Sequence, residues 1–161
     1  MGPSVTDSAT SSYVTVGLGD EIFGVDVANV REILAYRTVV HLPNAPPFLV
    51  GVIDVRGCTV PVIALRLKLG LPAVSITDDT RILVLEIDVK GRQLVVGLLA
   101  DRVLEVAEFE IDGLEAAPDV GVPWKSEYIR GIGRLRGNLV IVFDMEHLLS
   151  SEDVASRQAV P

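Results

Sequence analysis

Apolar residues in this chain come in short runs rich in Val, Ile and Leu, and each run is closed by a turn signal. Residues 13–18, 22–25, 51–55, 60–63, 82–87, 94–99, 103–106 and 139–143 read as strands, because β-branched residues recur with period two or fill a short continuous stretch. Between them stand Gly19-Asp20, Arg56-Gly57, Lys90-Gly91 and Arg136-Gly137-Asn138. Many short strands at this spacing point to an all-β fold of small barrels or a sandwich. Helix is scarce. Residues 29–35 predict a helical turn or two, and 144–149 another, with Asp144 placed to cap it. The stretch 69–79, with Gly70, Pro72 and Asp78-Asp79, reads as a linker, and 116–123 as a long loop. Residues 1–11 and 151–161 lack the pattern and read as frayed tails around one body over 12–150.

The pattern occurs twice. Residues 48–63 lie over 128–143 without a gap, matching Gly51 to Gly131, Arg56-Gly57 to Arg136-Gly137, and Val60 and Val62 to Val140 and Val142. Upstream, 23–33 resembles 96–106 in the same order. Two related subdomains follow. Halves of about 70 residues bury too little surface to stand alone, so they are expected to share an apolar seam and unfold together.

Composition agrees: 49% hydrophobic and 22% charged residues describe a globular chain. The formal charge of −8 repels a phosphate backbone and sets nucleic acid aside. No apolar run reaches the ~18 residues of a membrane span, and the first residues have neither a basic nor an apolar leader region, so the expectation is cytoplasmic. A single cysteine, Cys58, excludes an internal disulfide.

Candidate chemistry is thin. Nucleophilic catalysis needs Ser, Cys or Thr beside a base, and the only histidines are His41, in a Pro-flanked loop, and His147, in the final helical segment. Two distant histidines and one cysteine have no metal-ligand spacing, and Asp78-Asp79 and Glu152-Asp153 sit in solvated composition. Glycines 131, 133 and 137 precede a strand rather than a helix, which argues for bulges and a hairpin instead of a phosphate cradle. A ligand sensor in a groove would need convergent polar groups, and none stand out. What remains are Arg56, before a turn glycine and matched by Arg136, and Glu32, between Arg31 and Ile33. For Val30, Ile33, Val103 and Val106 the choice lies between core packing and the lining of a binding groove.

Residues 18–27, then Val30-Arg31-Glu32-Ile33, then 43–66 with Gly51 and Arg56-Gly57, then 96–103 together resemble the CheW family of bacterial chemotaxis coupling proteins, over about residues 12–150. The resemblance implies two intertwined SH3-like five-stranded β-barrels around a shared hydrophobic core. It also implies a non-enzymatic adaptor, without cofactor or metal, that couples chemoreceptor cytoplasmic tips to the regulatory domain of the histidine kinase CheA in an array at the inner face of the membrane. Carried over by motif, Val30, Glu32 and Ile33 fall on the family's Val-x-Glu-Ile turn, and Gly51, Arg56 and Gly57 on its Gly-Val-x-x-Leu-Arg-Gly hairpin. Gly97, Val103 and Val106 fall on second-half strands of the interaction surface. Asp54 stands where the family often has Asn, and Ala64 where it often has Asp. These departures leave open a non-flagellar pathway, such as twitching motility or another receptor-kinase system.

Overall fold

The structure is a computed structural model that describes residues 10–118, 120–121 and 126–150. Ten strands run in order as β1 (Thr10–Leu18), β2 (Glu21–Asp26), β3 (Val30–Ala35), β4 (Leu49–Val55), β5 (Cys58–Ala64), β6 (Arg81–Val89), β7 (Arg92–Ala100), β8 (Arg102–Glu110), β9 (Ile129–Leu135) and β10 (Asn138–Phe143). Two short helices, α1 (Leu65–Lys68) and α2 (Met145–Leu149), follow β5 and β10. All the expected strands are present. β9 is an addition, and so is β3, which replaces the helix expected over 29–35. Only Val27–Asn29 turns, as a 3-10 segment. From Val30 to Ala35 burial alternates residue by residue, and a nine-residue ladder partner, β6, is available, so tertiary pairing overrides the local helical signal. The Asp144 cap forms as expected: its carboxylate accepts from the His147 backbone N–H. β1 begins at Thr10, two residues inside the expected tail; the rest of both tails lies outside the described residues, as does part of the 116–123 loop.

The strands form two five-stranded sheets, in the orders β8-β1-β2-β10-β9 and β3-β6-β7-β5-β4. Moving each strand of the first sheet five places along the chain reproduces the second, so β1–β5 and β6–β10 are the structural repeats. Neither repeat owns a sheet. Each sheet takes two strands from one repeat and three from the other, joined by a parallel pairing with a glycine opposite a valine at its end: Gly24 with Val142, and Gly97 with Val62.

Period-two alternation divides the apolar side chains into three cores. Val14, Val16, Phe23 and Val25 from the first sheet meet Leu83, Leu85, Val96 and Leu98 from the second in a shared layer closed by Leu148 and Leu149. The opposite faces fill the two barrels, with Tyr13, Phe109, Val140 and Val142 in one and Ile53, Val60, Val62, Ile82 and Val84 in the other. The first part of β6, residues 82–85, reads as an unbroken apolar run because both its faces are covered, and the exposed Glu86 and Asp88 restore alternation beyond it. Lys68 sits where the repeat has Leu148. Its ammonium lies 4.6 Å from the Phe48 ring and 5.7 Å from that of Tyr128, two aromatics at matching repeat positions.

Candidate functional site

β3 and β4 are the outer strands of one sheet, β8 and β9 of the other. A barrel built from such a sheet has a seam, and at each seam an ion pair spans the gap. In the β3/β4 barrel the β4–β5 hairpin turns through Arg56 (φ 52°) and Gly57 (φ 85°). Two consecutive positive-φ residues make the tight turn whose twist matches the strands, and glycine takes the second place without steric cost. The turn aims Arg56 across the seam at Glu32 on β3, where its Nη2 and Nε donate to Oε1 at 2.9 Å and Oε2 at 3.3 Å. Arg56 is 80% exposed and Glu32 only 25%, so the carboxylate is rooted in the barrel and the arginine folds over it. That hydrogen bond holds the Glu32 carboxyl below its ordinary value and lifts the guanidinium, with further electrostatic support from Arg31 and Arg37.

The second barrel repeats the device. Arg136 (φ 51°) and Gly137 (φ 84°) form the β9–β10 turn. Arg136 donates through Nη1 and Nη2 to Oε2 and Oε1 of Glu105 on β8, the latter at 2.9 Å. Glu105 occupies the repeat position of Glu32. Sequence reasoning singled out neither Arg136 nor Glu105 as a site residue, although the aligned segments contain both.

The expected apolar residues also fall into symmetric places. Val30 and Ile33 stand opposite Leu85 and Leu83, and Val103 and Val106 opposite Val16 and Val14. Opposed residues project from the same face, and these four partners belong to the shared layer. Val30 and Val103 therefore pack against the layer, whereas Ile33 (42%) and Val106 (60%) emerge at its rims. Core packing and surface exposure thus divide between members of each pair.

Gly51 and Gly97 lie elsewhere. Both are buried. A Cβ on Gly51 would stand 2.1 Å from the Val40 carbonyl oxygen, which accepts from Val52 N–H, and one on Gly97 would stand 2.9 Å from Ile82. Both permit close packing of the frame behind the seam.

Beside the first ion pair the barrel opens into a mouth of about 530 Å³, with Val55, Val60, Val84 and Val95 as its floor and Arg31, Cys58 and Thr59 on its rim. Among the described residues no group of His, Cys, Asp and Glu is arranged to hold a metal ion, and no helix is long and apolar enough to cross a membrane.

A family model described as the CheW-like domain matches residues 12–153. The chain is 35% identical over 149 residues to the chemotaxis protein CheW of Klebsiella aerogenes, covering 92% of this chain and 87% of that one. It is 31% identical over 140 residues to CheW of Bacillus subtilis, covering 86% and 85%. Protein FrzA of Myxococcus xanthus is 31% identical over 121 residues, covering 75% and 72%. Among solved structures, the scaffolding protein TtCheW of Thermoanaerobacter tengcongensis superposes with a TM-score of 0.74 at 25% identity, covering 89% of this chain and 94% of that one.

Proposed function

The chain belongs to the CheW-like domain family, and on that premise we propose that it is a non-enzymatic scaffold that couples chemoreceptors to the histidine kinase CheA. The observation that carries the reading is the duplicated seam: a rigid two-barrel body presents an exposed Arg-Gly turn and a rim of apolar side chains at each of two related ends. An adaptor needs several such surfaces at once and no reacting groups. Each contact can be weak, because an array multiplies the effective concentration of the next one. The contacts we assign are Glu32, Arg56 and Gly57 at the first seam and Val30, Ile33, Val103 and Val106 along the rims, with Gly51 and Gly97 acting only through packing. The partners are the kinase regulatory domain and the receptor cytoplasmic tip, which puts the working protein at the inner face of the membrane. A flagellar pathway is the better supported setting, and the likeness to FrzA keeps a second chemosensory pathway as the alternative.

The test is Arg56→Asp, read by thermal melting beside co-sedimentation with receptor and kinase. The exposed pair contributes little to folding, so the melting temperature should hold within about two degrees. At an interface the reversed charge should weaken binding by roughly thirtyfold to several thousandfold. Unchanged co-sedimentation would remove Arg56 from the interface, and a large drop in melting temperature would make it structural.

A further inference from the structure

We propose that the interleaved repeats let two copies of this chain trade halves, β1–β5 of one copy assembling with β6–β10 of the other into an intertwined pair. The pairings that join the repeats are β1 with β8, β2 with β10, β3 with β6 and β5 with β7. All four run between β1–β5 and β6–β10, which a single described connection links, the segment from Leu69 to Thr80. An exchanged pair therefore re-forms every strand pairing and all three cores, and only the course of that connection changes. Free energy separates the closed and exchanged forms only through the connection and the entropy of association, which is the condition under which domain swapping is a low-cost route to a dimer.

The connection is suited to reopening. Residues 73–76 are exposed. Twelve residues reach about 40 Å when extended. Its start is latched by Arg66, which donates to the Pro72 carbonyl at 3.0 Å and, through Nε and Nη2, to Asp101 at the β7–β8 junction. Asp101 also accepts from Gly19 N–H in the β1–β2 turn. Asp101 of the second repeat thus holds the first repeat at Gly19 and Arg66, and Arg66 in turn holds the connection; the exchanged pair keeps this with Asp101 supplied by the other copy. Both seam pairs, Glu32–Arg56 and Glu105–Arg136, lie within a single repeat and pass through exchange untouched. One intertwined particle would carry four such ends instead of two.

The experiment uses a full chain with Cys58→Ser, Ser12→Cys and Glu108→Cys, the last two being directly opposed across the β1–β8 ladder and drawn from different repeats. In the closed form the new disulfide lies within one chain; in the exchanged pair it must join two. The protein is unfolded, refolded at about 1 μM and about 1 mM, oxidised, and run on a non-reducing gel with a count of free thiols. The expected result is a covalent dimer without free thiols that grows with concentration, since raising concentration about a thousandfold favours a dimer by the same factor. Removing residues 73–76 should raise the dimer share further at fixed concentration. Intrachain disulfide alone at every concentration overturns the proposal, and so does a dimer that retains free thiols, because that is an ordinary cross-link. Should the shortened chain fail to fold, the full-length pair of concentrations decides by itself.

Discussion

The two seams have the same geometry and different surroundings. At both, an Arg-Gly turn with matching positive φ angles carries a bidentate arginine to a glutamate on the facing outer strand. Around the first stand Arg31, Cys58 and Thr59; the repeat puts Leu104, Asn138 and Leu139 in their places. Arg31 reaches Glu86 at 3.7 Å, whereas Leu104 (43%) and Leu139 (52%) leave their apolar surface in water. A feature that recurs at both ends cannot tell partners apart. The recurring pair therefore marks both ends alike, and what differs between the ends lies in the flanking residues. Inside the barrels the seams differ too. Glu105 faces buried Thr15, whose hydroxyl donates to its carbonyl at 2.6 Å and accepts from its N–H at 3.0 Å, whereas Glu32 faces Val84.

The sharpest break between the halves should come at Gly51 and Gly131. Both lie beside a bridged loop, Val40 with Val52 and Glu115 with Ile132. A new methyl at Gly51 meets backbone oxygen at 2.1 Å, but at Gly131 it meets the Leu114 side chain at 2.7 Å and backbone only at 3.0 Å. Gly51→Ala should cost about 2–4 kcal/mol and Gly131→Ala about half that, by chemical denaturation. Equal losses would show that the loops yield alike and that the asymmetry is superficial.

Next in size is Thr15→Val, which makes the second seam resemble the first. It strips hydrogen bonds from the Glu105 backbone at the point where the β1–β8 register shifts, and should cost about 1–3 kcal/mol. The reciprocal Val84→Thr should also destabilise, by placing a hydroxyl in the apolar floor of the first barrel. A neutral Thr15→Val would mean that the register shift holds without its hydroxyl.

The smallest effect is in acid. Arg56 holds the Glu32 carboxyl below its ordinary value, so the folded state binds that proton later than the unfolded chain. The pair's contribution is then present above the unfolded value near 4.3 and is lost as pH falls through the folded one. Glu32→Gln should melt slightly below the wild type at neutral pH, and the gap should close on acidification. A gap independent of pH would take the stabilisation away from the charge.

Much of this was legible from the chain. The Arg-Gly turns, the strand runs and the duplication are written in local signals, since turn chemistry and period-two burial act over a few residues. The motif points to the Glu32–Arg56 pair, whereas its twin Glu105–Arg136 is present in the same aligned segments without a signal of its own, because a repeat shows likeness without saying which likeness matters. At β3 the sequence is ambiguous, because Val30, Ile33 and Leu34 satisfy helical spacing as well as a strand, and only β6 decides between them. The exchange of strands between repeats left no local trace at all. Two tandem barrels, each closed within its own half, would need the same hydrophobic pattern.

The parallel joints also set a timetable for biosynthesis. Ile22 in β2 pairs with Val140 in β10, 118 residues later. At a synthesis rate of roughly 5–20 residues per second, that edge waits about 6–24 s for its neighbour. Through that interval the nascent chain holds the apolar side chains Phe23 and Val25 before the last strands that complete their core have been made. Slow translation across the second repeat should therefore lower the yield of soluble protein, even where the finished molecule is fully stable.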